Sequence, residues 1–205
     1  MHPAIRHRAL ALAALVLLAS AARAQTLAGH ELVAALQRGG YVIALRHAAS
    51  PRTPPDAATA NADNPARERQ LDDTGRRTAA AMGQALRRLG IPVGVVWSSP
   101  TYRALETVRL AGLPAPRLQE SLGDGGHSMQ QASADQATWL RQQAATSPGA
   151  TNVVIVTHFP NLSAAFPDYT RDLADGEALI LAADGKGGAR LVARVRITDW
   201  PTLGN

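Results

Sequence analysis

GGYVIALRH, residues 39–47, reads as a short buried strand with chemistry placed at its end. Tyr41 to Leu45 is an unbroken apolar run, too short for a helix and lacking the polar alternation of a half-exposed strand, which is the pattern of a central strand covered on both faces. Upstream, Leu32, Val33 and Leu36 share one face of a helix expected over 29–38, and Gly39 and Gly40 end it. Downstream, Arg46 and His47 follow the strand directly. The same design recurs twice: Val93 to Trp97 runs into Ser98, Ser99 and Pro100, and Val153 to Thr157 runs into His158.

Helical stretches separate these strands. Thr74 is expected to cap a helix carrying Ala79, Met82, Leu86 and Leu89 at helical spacing, ended by Gly90 and Pro92. Ser99 with Pro100 forms a helix-start pattern, with the helix running to about Ala111. A further helix is expected over 135–145, and the segments Ala178 to Ala183 and Leu191 to Ile197, around the DGKGG turn at 184–188, form a closing hairpin. Strands alternating with helices predict an α/β protein, a three-layer α/β/α sandwich with a mostly parallel central sheet. In such sheets ligands bind beyond the carboxyl ends of the strands, so Arg46, His47, the Ser99 region and His158 are expected at one site. Residues 48–70, rich in Pro, Ala, Asn and Asp without period, are expected to form a lid over it.

The N-terminal segment has Arg6 and Arg8 before an apolar run from Ala9 to Ala19, then Ala22, Arg23 and Ala24 in an A-x-A pattern. It predicts a signal peptide over 1–24 and a single domain over 25–205, periplasmic or secreted, because the run is too short to span a bilayer as a retained anchor. Cleavage removes three arginines and no acid, so 18 basic side chains face 16 acidic ones in the mature chain. No block of Lys and Arg with interleaved aromatics remains and only 4% of residues are aromatic, which excludes a stacking surface for nucleic acid. The absence of cysteine removes disulfides, thiolate nucleophiles and Cys-ligated metals.

Leu45-Arg46-His47-Ala48 resembles the motif of the histidine phosphatase (phosphoglycerate mutase-like) superfamily, and further matches follow in order. Leu71 to Gly75 is similar to the segment opening that family's first long helix, and Ser98 to Thr107 is similar to its S-S-P-x-x-R-A-x-x-T pattern. The strand ending in Thr157-His158 resembles the one that presents the second catalytic histidine, so the resemblance runs from about Tyr41 to at least Leu162. It departs from the usual pattern at Ala48, where glycine is common, and after His158, where Phe-Pro-Asn-Leu replaces Gly-Gly in the manner of compact phosphohistidine phosphatases.

The resemblance implies a phosphoglycerate mutase-like fold and a metal-independent phosphomonoesterase, without cofactor, acting on a small phosphorylated substrate. His47 would be the nucleophile that carries the phosphoryl group, and the attacking ring nitrogen follows by family analogy. The chemistry fits, because a phosphomonoester carries roughly 1.5 to 2 negative charges at neutral pH and needs a cationic pocket. Arg46 and Arg103 would supply planar charged forks, and His158 would stabilise the equatorial oxygens. Glu120 in the L-x-E-like stretch Leu118 to Glu120 is the first candidate for proton donor, and Asp124 in the turn Gly123 to Gly126 is the second. A phosphotransferring mutase and an inactive phosphate-binding homologue are the alternatives to hydrolysis. A metal-dependent phosphoesterase built on His47, His127 and His158 is a weaker one. Arg52, Arg67 and Arg69 read as solvated cations that could clamp a second anionic group.

Overall fold

A computed structural model describes residues 26–54, 64, 67–124 and 131–205. The expected leader at 1–24, part of the 48–70 loop and His127 lie outside the described residues. Six strands form one sheet in the order β3-β2-β4-β1-β5-β6, from β1 (Val42–Arg46), β2 (Val93–Ser98), β3 (Arg117–Leu118), β4 (Asn152–Thr157), β5 (Ala178–Ala183) and β6 (Ala189–Val195). The β1–β4, β2–β4 and β2–β3 pairs are parallel, whereas β5 runs antiparallel to both β1 and β6. The expected closing hairpin therefore exists, and it extends the central sheet instead of standing apart from it.

The pleat sorts the core into two layers. Ile43 and Leu45 join Val154, Val156 and Ile180 in one buried cluster, with residues of α1 (Gly29–Gln37), α2 (Asp73–Arg88) and α3 (Tyr102–Ala111). Val42 and Ala44 join Ile155, Leu179 and Leu181 in the other, against α4 (Ala134–Ala144) and α5 (Phe159–Ala165). This is the period-2 alternation of a strand buried on both faces. Helices α2 and α3 pack so closely that a β-carbon at Gly83 would stand 1.7 Å from the Ala111 carbonyl oxygen.

Two helix starts differ from the sequence reading. Asp72, not Thr74, caps α2, its carboxylate accepting from Gly75 N at 2.7 Å, since a carboxylate reaches the first-turn donors and also favours the positive helix end. Helix α3 begins at Tyr102 rather than at Pro100, because Ser99 Oγ accepts from Thr101 N at 3.2 Å and contacts His158, which ties Ser99 into the site and shifts the cap to Thr101. The first turn of α3 is completed by Glu68, whose carboxylate accepts from Tyr102 N at 2.8 Å. A capping box of Ser133 and Gln136 opens α4. No helix among the described residues is long and apolar enough to cross a membrane.

Candidate active site

Strand parity parts Arg46 from His47. Arg46 ends β1 on the same side as Val42 and Ala44, so its guanidinium turns toward α5 and the following loop. There it donates to Leu173 O at 2.7 Å, pairs with Asp175 Oδ1 at 2.5 Å and lies 5.5 Å from the Phe159 ring centroid. His47, one residue on, turns toward α3. Its backbone N donates to Thr157 O at 3.0 Å, fastening it to the end of β4, where His158 follows. The two imidazoles meet edge to face with centroids 5.2 Å apart.

Arg103, fully buried on the first turn of α3, joins them. Its Nε donates to His47 Nε2 at 3.2 Å and its Nη2 to His158 Nδ1 at 3.1 Å. A guanidinium can only donate, so each of these ring nitrogens presents a lone pair. The His47 proton therefore sits on Nδ1, which donates to Ala48 O at 2.8 Å, and the His158 proton sits on Nε2, facing Ser99 Oγ at 2.9 Å and Thr101 Oγ1 at 3.2 Å. Burial, followed by the charges of Arg103, Arg46 and Arg69, pushes His47 down from 6.5 to about 3 against the opposing hydrogen bond to Ala48. Burial and then Arg103 hold His158 well below its ordinary value as well. Both rings are neutral, and His158 Nδ1 accepts from Arg103 while its Nε2 faces the hydroxyls of Ser99 and Thr101.

Asp124 balances Arg103. Its Oδ2 accepts from Arg103 Nη2 and lies 3.4 Å from His158 Nδ1. The pairing of Arg103 with Glu106 that a solvated helix face would allow does not occur, and Glu106 pairs instead with Arg109 at 2.7 Å. Thr107, the last residue of the Ser98 to Thr107 motif, locks the loop after the nucleophile: its Oγ1 accepts from Ala48 N at 3.1 Å and donates to Arg103 O at 2.8 Å. Gly75 completes the lock, since a β-carbon there would stand 2.2 Å from Ala49 O.

A cleft of about 220 Å³ opens at this edge of the sheet, walled by Arg46, His47, Asp124 and His158. Four of the six expected residues thus line one cavity, with Arg103 bridging the two histidines beside it. Glu120 departs from the expectation: it is exposed at the start of a 3-10 turn and does not line the cleft. Of two further cleft residues, the sequence reads Arg69 as solvated and does not foresee Asp175. Arg69 is buried, not solvated, because Pro51 O and Ser50 O accept from it at 2.5 and 3.1 Å and hold it in the cleft wall. Asp175 reaches the cleft from the loop before β5, and nothing in its local sequence marks it. Arg52 also lines the mouth. A larger cavity of about 470 Å³ near Arg141, Tyr169 and the Gly187–Gly188 turn lies at the opposite end of the sheet and touches neither histidine.

Residues 42–122, which hold Arg46, His47, Arg103 and the Ser98 to Thr107 motif, match the histidine phosphatase superfamily (branch 1). Over that stretch the chain is similar to members of that superfamily. No curated sequence relative matches it. Among solved structures it is similar to the protein histidine phosphatase SixA complexed with tungstate, at 18% identity and a TM-score of 0.57, covering 78% of this chain and 98% of that one. A SixA described as a putative phosphohistidine phosphatase from Nakamurella multipartitia aligns at 24% identity, TM-score 0.53, over 77% and 95% of the two chains. A phosphoserine phosphatase mutant from Entamoeba histolytica, in complex with phosphoserine, aligns at 15% identity, TM-score 0.52, over 75% and 95%. At these identities the likeness establishes the histidine phosphatase fold, the phosphoglycerate mutase-like α/β sandwich with helices on both sheet faces.

Proposed function

We propose that this protein is a histidine phosphatase that hydrolyses small phosphomonoesters through a phosphohistidine on Nε2 of His47. The observation that carries the reading is the state of that imidazole: neutral, with Nδ1–H donated to Ala48 O and the Nε2 lone pair turned to Arg103 among cations. An arriving phosphoryl group exchanges the Arg103–His47 hydrogen bond for bonds to its own oxygens, which Arg46, Arg69 and Arg103 are charged to make. Nε2 then forms the N–P bond as the ester P–O bond breaks, and the departing oxygen takes a proton. Asp124 lines the cleft and Glu120 does not, so we assign the proton relay to Asp124: displaced from Arg103 by the phosphate, its carboxylate takes up the proton that a phosphomonoester monoanion brings and passes it to the departing oxygen. In the second half the Asp124 carboxylate takes a proton from water as that water attacks phosphorus and releases His47.

The arginines supply the positive charge that a metal supplies elsewhere, and the outward-facing nitrogens of both histidines are engaged by Arg103, so the reaction runs without a divalent ion. The tungstate and phosphoserine bound by its structural neighbours support a tetrahedral anion as the ligand. A small phosphoester suits the cleft size. We further propose export through residues 1–24, which a mature N-terminus at Gln25 would demonstrate by mass spectrometry. Turnover of an aryl phosphate by the purified protein in excess chelator, abolished in His47→Ala, is the expected result. Equal turnover by the variant, or loss of activity on chelation restored by a divalent ion, would reject the mechanism.

A further inference from the structure

Asp175 places a negative charge in the wall of a cleft proposed to bind a dianion, which a site selected for affinity alone would avoid. Its position is nevertheless built. On one side Ala174 N donates to Glu177 Oε2 at 2.9 Å, and on the other Gly176 N donates to His47 O at 2.9 Å. Glu177 is itself buried and paired with Arg194 at 2.7 Å, and Arg194 donates to Arg171 O at 2.8 Å. The loop is thus gripped on both sides of Asp175, and the carboxylate it presents meets Arg46 at 2.5 Å while Leu173 O of the same loop takes the other Arg46 nitrogen.

The charge balance gives this a purpose. Arg46, Arg52 and Arg69 line the cleft and Arg103 lies beside it, facing Asp124 and Asp175. Asp124 is set against Arg103 and Asp175 against Arg46, so each of these two arginines already faces a counter-charge. Both histidines are neutral and add nothing. A phosphate dianion and the inorganic phosphate left after hydrolysis carry the same charge into this cleft, so an arginine set without the aspartates would retain its product.

We propose that Asp175 is a positioning residue that orients Arg46 and limits the cleft's affinity for phosphate, so that product leaves. This rests on the phosphatase reading for its purpose, though not for its measurement. Asp175→Asn keeps the shape and an acceptor for Arg46 and removes only the charge. It is expected to bind inorganic phosphate about 5- to 10-fold more tightly by calorimetry, with KM for an aryl phosphate falling in parallel. Asp175→Glu, which restores the charge, is expected to return phosphate affinity toward wild type, an outcome a merely structural role would not produce. Asp175→Ala also loses the anchor of Arg46 and is expected to lower kcat at least about tenfold. Phosphate bound equally or more weakly by Asp175→Asn overturns the affinity role, and an unchanged kcat in Asp175→Ala overturns the positioning role. If the wild type binds phosphate but turns nothing over, the phosphatase reading fails while the calorimetric comparison still decides the effect of Asp175 on affinity.

Discussion

Arg103 Nε donates to His47 Nε2 across 3.2 Å, and the same guanidinium donates to His158 Nδ1 at 3.1 Å. One buried side chain therefore sets the tautomer of both imidazoles and holds the His47 Nε2 lone pair that the proposed reaction uses. It thereby joins three motif segments, since Arg103 comes from α3 while the histidines follow β1 and β4.

Arg103 and Asp124 are a buried pair, so removing one takes from the other a counter-charge it is set against. Arg103→Ala is expected to cost about 3–5 kcal/mol in urea unfolding. Activity should fall at least about 100-fold. Arg103→Ala with Asp124→Ala is expected to recover much of the stability and none of the activity. Additive stability losses in the double variant would show that the two charges are not coupled.

Thr107 holds the loop behind the nucleophile through Ala48 N. Thr107→Val keeps the volume and orphans that buried N–H, at a predicted cost of about 1–3 kcal/mol. Because His47 Nδ1 donates to the carbonyl of the same Ala48, kcat for an aryl phosphate is expected to fall with KM less affected. Wild-type kcat in Thr107→Val would remove this loop from the account.

Acid sensitivity follows from the buried neutral rings. Unfolded imidazoles take up protons below about 6.5, whereas folded His47 resists until about 3. Between those values the unfolded state binds more protons, so stability from this source is full above 6.5 and is lost as pH falls through the window. The drop in unfolding free energy from about pH 7.5 to about pH 4.5 is therefore expected to be smaller in His47→Gln than in wild type. Equal drops would mean that His47 is not held neutral.

Much of this was legible in the sequence for a physical reason. Apolar runs such as Tyr41 to Leu45 and Val153 to Thr157 are forced inside, and the polar residues directly after them must emerge at the sheet's edge, which brought Arg46, His47 and His158 together. The helix start after Ser98 delivered Arg103 to the same place. What stayed hidden depends on loop conformation. Arg69 is buried where two carbonyls of the 50–51 backbone turn toward it, and Asp175 enters the cleft from a loop that Glu177 and Arg194 hold folded. Ser99 looked like a cap, yet the partner that claims it, His158, is 59 residues away. Glu120 and Asp124 differ by four positions, and only the 3-10 turn between them decides which one faces the site.

Rapid acid-free quenching of the protein with an aryl or acyl phosphate, followed by peptide mass spectrometry, tests the central claim most directly. The account predicts one phosphoryl group on His47, absent in His47→Ala, stable in base and lost in mild acid as a P–N bond is. Turnover with no label on His47, or label on a serine or aspartate instead, would contradict it.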